Sequence, residues 1–384
     1  MNKKLIPVML TFFTMGFVDL VGIATNYSKA DLQLSEFEAG LFPMLVFLWF
    51  LVFSLPTSVL MNKIGRKNTV LISLGMTLAA MVTPVVSLSY ASMLISFSLL
   101  GIGNAIMQTS LNPLVDSVMK GGASASTLTF GQFIKSIASF LAPIIASWGA
   151  VTCPDFLGWR VLYPIYFGIG ILGTLLLFAT RISEPVAVAN EQKSVGQQFS
   201  GCFRLLGTPF ILLCFIAIIC HVGIDVGMGI TAPQVLMDKL GWTLDQAAIS
   251  ASIYFFAKAA GSFSGSFIMK FLKDWTFLLA SVALMGVSIL LLFVGSTQWE
   301  LYLAIALMGF GNGNPFSIIF ARAMQTVPEQ KNEVSGLLIM GIVGGAVFPP
   351  VMGLASDHFG LAGAIFTMAL GVLYLFAFWA KGRK

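Results

Sequence analysis

The sequence predicts an all-α membrane protein of twelve transmembrane helices, arranged as two six-helix halves related by a parallel repeat. Three observations predict it. The chain of 384 residues is 57% hydrophobic and only 10% charged, with a mean hydropathy of +0.92 and 34 phenylalanines, a composition unsuited to a water-soluble core. Apolar runs of roughly 20 residues, the length that crosses a hydrocarbon layer, recur from end to end. Short motifs of the first half also return in the second at a nearly constant offset.

Polar breaks delimit the spans at 5–27, 37–61, 68–88, 91–118, 126–148 and 160–180, then 207–236, 244–269, 276–296, 301–323, 333–356 and 361–380. The first span follows Met1–Lys4 and could imitate a signal peptide, but Leu5 to Thr25 is long enough to cross and lacks an Ala-x-Ala cleavage site, so it is retained. Asp19 lies in that span and Trp49 in the second. The fourth carries Gln108 and Asn112, the fifth Gln132 and Lys135. A linker, 181–206, separates the halves 1–180 and 207–384. The seventh span carries His221 and Asp225, the eighth Tyr254 and Lys258, and the tenth Asn312 and Asn314 around a Gly-rich break before Pro315. Trp148, Trp159, Trp242, Trp275, Trp299 and Trp379 fall at span ends, as interface anchors do.

Lys and Arg set the orientation. With the N-terminus inside, Lys3, Lys4, Lys63, Arg66, Lys67, Lys120, Arg181, Lys193, Arg204, Lys270, Lys273, Arg322, Lys331, Lys381, Arg383 and Lys384 fall on the cytoplasmic side, 16 of the 21 basic residues. Lys29, Arg160 and Lys239 fall outside, and Lys135 and Lys258 lie within spans. Both termini are therefore expected in the cytoplasm. The formal charge of +5 follows from the same asymmetry; it points to anionic lipid headgroups and gives no support to nucleic-acid binding. Cys153, Cys202, Cys214 and Cys220 show neither metal-ligand spacing nor a disulfide framework, and read as helix-packing residues.

The repeat is carried by several matches in register. Leu99-Leu100-Gly101-Ile102-Gly103-Asn104 returns as Leu307-Met308-Gly309-Phe310-Gly311-Asn312, 208 residues on. Ser35-Glu36-Phe37-Glu38-Ala39 meets Thr243-Leu244-Asp245-Gln246-Ala247 at the same offset, and Asp19 meets Asp225 at 206. Small-residue motifs also serve simple helix packing, but several matches in one register favour duplication. Parallel halves of this kind are an architecture of secondary transporters.

Other motifs carry a family resemblance. Phe12-Phe13-Thr14-Met15-Gly16-Phe17, Met107-Gln108-Thr109-Ser110-Leu111-Asn112-Pro113 and the stretch from Ser335-Gly336 to Phe348-Pro349-Pro350 resemble spans one, four and eleven of the fucose permease-like sugar:proton symporters, within the major facilitator superfamily. That superfamily's loop Gly-x-x-x-Asp-Arg-x-Gly-Arg-Arg/Lys is present in degraded form as Ser58 to Lys67, in which Gly65, Arg66 and Lys67 match. Asn62 stands at the Asp position, and the loss is expected to weaken the inter-helix charge contact this loop supplies. The resemblance implies the major facilitator fold, transport of a sugar and coupling to protons.

Five ionisable groups, Asp19, Lys135, His221, Asp225 and Lys258, fall within apolar spans, where they require partners or a polar path. Asp19 is the expected proton carrier, one helical turn before the position of the family's span-one acid, near Ile23; a permanent pair with Lys135 is the competing structural role. Gln108 stands where family members carry Glu or Gln, and its amide suits sugar hydroxyls. Asn112 shares its face, although it could equally satisfy backbone freed by Pro113. Gln132 matches the family's span-five Gln. Lys135 departs from the family's neutral residue and suits either a carboxylate-bearing substrate or neutralisation of Asp19. His221 and Asp225, one turn apart, could share a proton or bind a ligand, and a pair of Asp225 with Lys258 could instead hold the second half together. His-x-x-x-Asp alone is too little for a metal site. Asn312 and Asn314 could bind sugar, while Gly309, Gly311 and Gly313 could simply allow close packing. Trp49 and Tyr254 could stack on a sugar.

The expected function is proton symport of a small polar solute, foremost a monosaccharide, by alternating access across the inner membrane, by a monomer that needs no cofactor. Uptake of an acidic sugar through Lys135, coupled to protons or sodium, is the alternative within transport, and facilitated diffusion stays open because Gln108 replaces a carboxylate. A membrane sensor of transporter-like form is the alternative of another class; an enzyme is not expected, since no Gly-x-Ser-x-Gly, His-Glu-x-x-His or phosphate-cradling loop occurs.

Overall fold

The structure, a computed structural model, describes residues 4–34, 36–119, 125–182, 184, 195–242, 244–247 and 249–382. Lys3, Ser35, Lys120, Lys193, Thr243, Arg383 and Lys384, named above, lie outside them, as do positions 183 and 185–194 of the expected linker. The first six long helices are α1 (Leu5–Leu32), α2 (Glu36–Ile64), α3 (Arg66–Val86), α4 (Tyr90–Val118), α5 (Ala125–Thr152) and α6 (Leu162–Ala179). A short linker helix, Val195–Arg204, precedes α7 (Pro209–Leu240), α8 (Ile249–Ile268), α9 (Asp274–Val294), α10 (Gln298–Thr326), α11 (Pro328–Phe359) and α12 (Leu361–Lys381).

Each predicted span is helical over most of its described length. Among the described residues, eleven helical stretches are long and apolar enough to cross a membrane. The exception, α8, has 20 residues, about 30 Å at 1.5 Å per residue. It has the length to cross, but Lys258 and its seven serines and glycines from Ser250 to Ser266 dilute its apolar character. In lipid only helices and closed barrels satisfy every backbone group internally, and continuous apolar runs of this length suit the helix, which is why this composition folds as a helical bundle.

The repeat seen in sequence is repeated in contacts. Both α4 and α10 open with a capping box, Ser89 with Ser92 and Thr297 with Glu300, 208 residues apart; each satisfies helix-terminal N–H groups that would otherwise lack partners. Gly101 of α4 presses on α2 at Val46 and Trp49, and Gly309 of α10 presses on α8 at Tyr254 and Ala257. Gly103 and Gly311 press in the same way on Thr77 of α3 and on Ser281 and Met285 of α9. Even the buried serine bonds correspond, with roles exchanged: Ser96 donates to the Ala80 carbonyl (2.8 Å), and Ser288 donates to that of Ala304 (2.6 Å).

Two compact units are distinguished: Met1–Ala123, Ile134–Arg204 and Glu329–Met340 form the first; Ser124–Phe133, Leu205–Pro328 and Gly341–Lys384 form the second. Each unit follows one half of the sequence except for one exchanged segment. In the first, the opening turns of α11 pack on α2 and α4, with Gly336 against Ser54 and Ser58. In the second, the start of α5 packs on α8, where Ser126 donates to the Ser266 carbonyl and Phe133 lies 4.8 Å from Phe263.

The loop between α2 and α3 does not lose its contacts with the missing Asp. Asn62 donates to Glu333 and accepts from Asn332 (both 2.6 Å), while Arg66 donates to Asn332 (2.9 Å), Ser117 (2.7 Å) and the Pro113 carbonyl (3.1 Å). Lys331 pairs with Asp116 at 2.6 Å. An amide can donate and accept, so Asn62 joins two partners that a carboxylate could not. Glu184 accepts from the backbone N–H groups of Arg66 (2.6 Å) and Lys67 (2.7 Å), placing a carboxylate on the N-terminus of α3. Lys67 answers by donating to the Phe178 and Thr180 carbonyls at the end of α6.

Candidate functional site

In the first unit the site begins with a break in α1. The helix tightens to 3₁₀ geometry over Gly16–Leu20, and a Cβ on Gly16 would overlap the Lys135 carbonyl oxygen and Ala138 of α5. Glycine is therefore what lets α1 approach α5 closely enough for Asp19 to reach it. Asp19 accepts a hydrogen bond from Ser139, and the Lys135 ammonium stands 3.5 Å from the same oxygen. Its side chain is 34% exposed, so the pair is neither sealed nor closely bonded.

A run of amides lines α4 at four-residue spacing, on one helix face. Asn104 donates to the Met15 carbonyl at the head of the α1 break (2.7 Å), Gln108 donates to Asn104 (2.6 Å), and Asn112 donates to the Gln108 carbonyl (2.9 Å). Pro113 frees the Thr109 carbonyl, and Ser335 takes it at 2.5 Å. Asn112 is thus not needed there, and its Oδ1 is buried without a partner. Gln132 is half-buried on α5, three residues before Lys135, in the portion grouped with the second unit.

In the second unit two glycine pairs interlock. Gly309 and Gly313 of α10 meet the Tyr254 and Lys258 carbonyls of α8, while Gly261 and Gly265 of α8 meet Phe310 and Asn314 of α10. Small residues four apart let the backbones touch, and that closeness brings Asn312 over Asp225. The Asp225 carboxylate accepts from Tyr254 (2.5 Å), Asn312 (3.1 Å) and twice from Lys258 (2.7 and 2.6 Å). Asn312 also donates to the Tyr254 hydroxyl at 2.9 Å. The glycines at this break do allow close packing, and Asn312 spends its amide N–H on Asp225 and Tyr254.

His221 contributes no hydrogen bond to Asp225 among the described residues; it is buried beside Phe316, and its Nδ1 has no partner. Among the described residues, Asn314 is fully buried with neither amide atom bonded, and Asn312 Oδ1 is likewise without a hydrogen-bond partner. Buried polar atoms are nearly always satisfied, by water or ligand where protein supplies nothing. Tyr254 is buried and spends its hydroxyl on Asp225, and Trp49 is half-buried against Gly101 with its Nε1 unpartnered. An apolar recess of about 370 Å³ between α8 and α10, lined by Ile253, Phe256 and Phe310 among others, contains none of these polar groups. No three His, Cys, Asp or Glu side chains gather as metal ligands among the described residues.

Sequence reasoning missed Asn104, Ser139 and the role of the Tyr254 hydroxyl. The repeat could have found Asn104, the counterpart of Asn312 at the 208-residue offset. Both asparagines reach across to the first helix of their half, one to a backbone carbonyl and the other to a carboxylate.

The arrangement has known relatives. A sequence profile of the Major Facilitator Superfamily matches residues 8–234 and 214–384. The chain is 25% identical over 386 residues to a glucose/galactose transporter of Brucella abortus, covering 98% of this chain and 93% of the relative. It is 20% identical over 376 residues to the L-fucose-proton symporter of Escherichia coli, covering 90% and 85%. A crystal structure of the Escherichia coli fucose:proton symporter superposes with a TM-score of 0.83 at 18% identity, over 98% of this chain and 97% of that one. A proton:xylose symporter gives 0.74 at 13% identity, over 97% and 94%. The chain belongs to the major facilitator superfamily and has its fold; it is a membrane transporter.

Proposed function

We propose that this member of the major facilitator superfamily imports a neutral monosaccharide in symport with protons, by alternating access, as a monomer in the inner membrane with both termini in the cytoplasm. The observation that carries the reading is a set of buried amides within the membrane spans, with Asn112, Asn312 and Asn314 retaining atoms unpartnered among the described residues. Amides donate and accept at once, which matches hydroxyls and needs no net charge. In the first unit Gln108 and Asn112 are the amides for sugar hydroxyls, and in the second Gln132, Asn312 and Asn314, with His221 beside Phe316. The relatives named for glucose/galactose and fucose transport support the substrate class.

Asp19 takes the proton. Its carboxyl has one hydroxyl donor and a looser ammonium at 3.5 Å, so a proton can replace that ammonium without stripping a closed network. Asp225, which accepts four hydrogen bonds from three side chains, is committed to its neighbours and acts with Lys258 as a structural pair. Lys135 tunes Asp19 in this scheme.

A second reading rests on Lys135 itself. Among the described residues its ammonium meets one carboxylate, Asp19, at 3.5 Å, and a carboxylate-bearing sugar would be a better partner. Counterflow in proteoliposomes discriminates the readings: vesicles preloaded with glucose, galactose, fucose, a hexuronate or sialic acid are tested for exchange with the labelled compound. Exchange of neutral hexoses supports the proposal. Exchange confined to acidic sugars moves the substrate to the anionic class, and binding without exchange for every compound points to a sensor.

A further inference from the structure

We infer that the second unit carries a binding site for the phosphate of an anionic phospholipid, at the ends of α9, α10 and α12. A recess of about 310 Å³ opens there, lined by Lys273, Trp275, Thr276, Arg322 and Gly382. Arg322 spends Nε and Nη2 on Asp274 (3.0 and 2.6 Å) and lies over the Trp275 ring at 5.7 Å. The Asp274 carboxylate neutralises that guanidinium, and the Nη1 edge makes no hydrogen bond among the described residues. Lys273 is exposed and has no acceptor among the described residues, so the recess carries one uncompensated positive charge next to a fixed guanidinium edge.

The surroundings belong to a membrane boundary. Trp275 and Trp379 each donate their indole N–H to the other's carbonyl oxygen (3.1 and 3.0 Å), which fixes two indoles at the level where aromatic side chains anchor in headgroups. The preceding turn places Phe271 and Leu272, 88% and 50% exposed, between Lys270 and Lys273. Apolar side chains bracketed by ammonium groups suit a lipid, whose chains lie beside its phosphate; a free anion would use only the charges. In the first unit, the turn between α2 and α3 is instead filled by protein: Asn332, Ser117 and the Pro113 carbonyl take up Arg66. Basic recesses between helix ends on the cytoplasmic side are where anionic headgroups dock.

The test uses the full chain in bilayer discs of phosphatidylcholine with and without phosphatidylglycerol in both leaflets, which removes any dependence on orientation. Native mass spectrometry counts the lipid retained by the wild type and by Lys273→Gln, Lys273→Arg and Lys63→Gln, the last altering an exposed lysine at the α2–α3 turn. The wild type should retain phosphatidylglycerol preferentially. Lys273→Gln should lower that preference about fivefold, the worth of one basic residue at an anionic surface; Lys273→Arg and Lys63→Gln should leave it unchanged. Inorganic phosphate should not displace the lipid. An equal loss in Lys63→Gln, no preference in the wild type, or displacement by phosphate would each overturn the assignment. None of these outcomes bears on which sugar is carried or whether protons drive it.

Discussion

Replacing Lys258 by Met is expected to be among the most damaging single changes in the second unit. The substitution keeps most of the side-chain volume but removes two of the four hydrogen bonds to Asp225 and the cation paired with it. Hydrogen bonds to a charged group contribute about 1.5–3 kcal/mol each, and breaking a buried pair from one side costs about 3–5 kcal/mol. The two side chains are 22% and 25% exposed, which places the expected loss at the lower end, about 3 kcal/mol. The cost comes from the stranded carboxylate, so Lys258→Met combined with Asp225→Asn should recover most of it. Both variants and Asp225→Asn alone would be unfolded in detergent and followed by tryptophan fluorescence, completing a double-mutant cycle. A loss below about 1 kcal/mol for Lys258→Met, or a double variant no more stable than the single, would refute the assignment of this pair as a structural tie.

Three further outcomes are expected. Gly16→Val forces a side chain into the Lys135 carbonyl; it should cost about 1–3 kcal/mol through overpacking and abolish transport by parting Asp19 from Lys135, as uptake and unfolding would show. Gln108→Leu leaves the buried Asn104 oxygen without its donor and should raise the apparent KM for sugar about tenfold, as expected for loss of one hydrogen bond of about 1.4 kcal/mol; an unchanged KM with normal folding would remove Gln108 from the site. Burial raises the Cys202 thiol above its ordinary range, only partly offset by the Ser58 hydroxyl, so the protonated, unreactive form dominates at neutral pH. Maleimide should therefore modify the half-buried Cys153 well before Cys202, and mass spectrometry of the labelled peptides reads the order.

Span positions, the repeat and the charged residues were legible in the sequence because length, hydropathy and register are local properties. Pairing was not. Asp225 and Lys258 lie on different helices, so nothing in their spacing shows that they meet; only the packed helices bring the ammonium to 2.6 Å from the carboxylate, while the interlocked Gly261, Gly265, Gly309 and Gly313 set how closely α8 and α10 approach. Glu184 left no sequence signal at all, since it caps a helix whose first residue is 118 positions earlier. Asn62 was misread as a loss because the motif records a charge, whereas the fold uses an amide that bonds two partners at once.

Proton coupling through Asp19 is tested most directly by uptake of labelled glucose, galactose and fucose into proteoliposomes under an imposed pH gradient, with wild type beside Asp19→Asn. The amide keeps the size of the side chain and its bond to Ser139 but cannot carry a proton. Wild-type uptake should rise when the source compartment is acidified, and Asp19→Asn should lose that dependence while still exchanging sugar across the membrane. Uptake indifferent to the gradient in the wild type, or a gradient response that survives in Asp19→Asn, would contradict it.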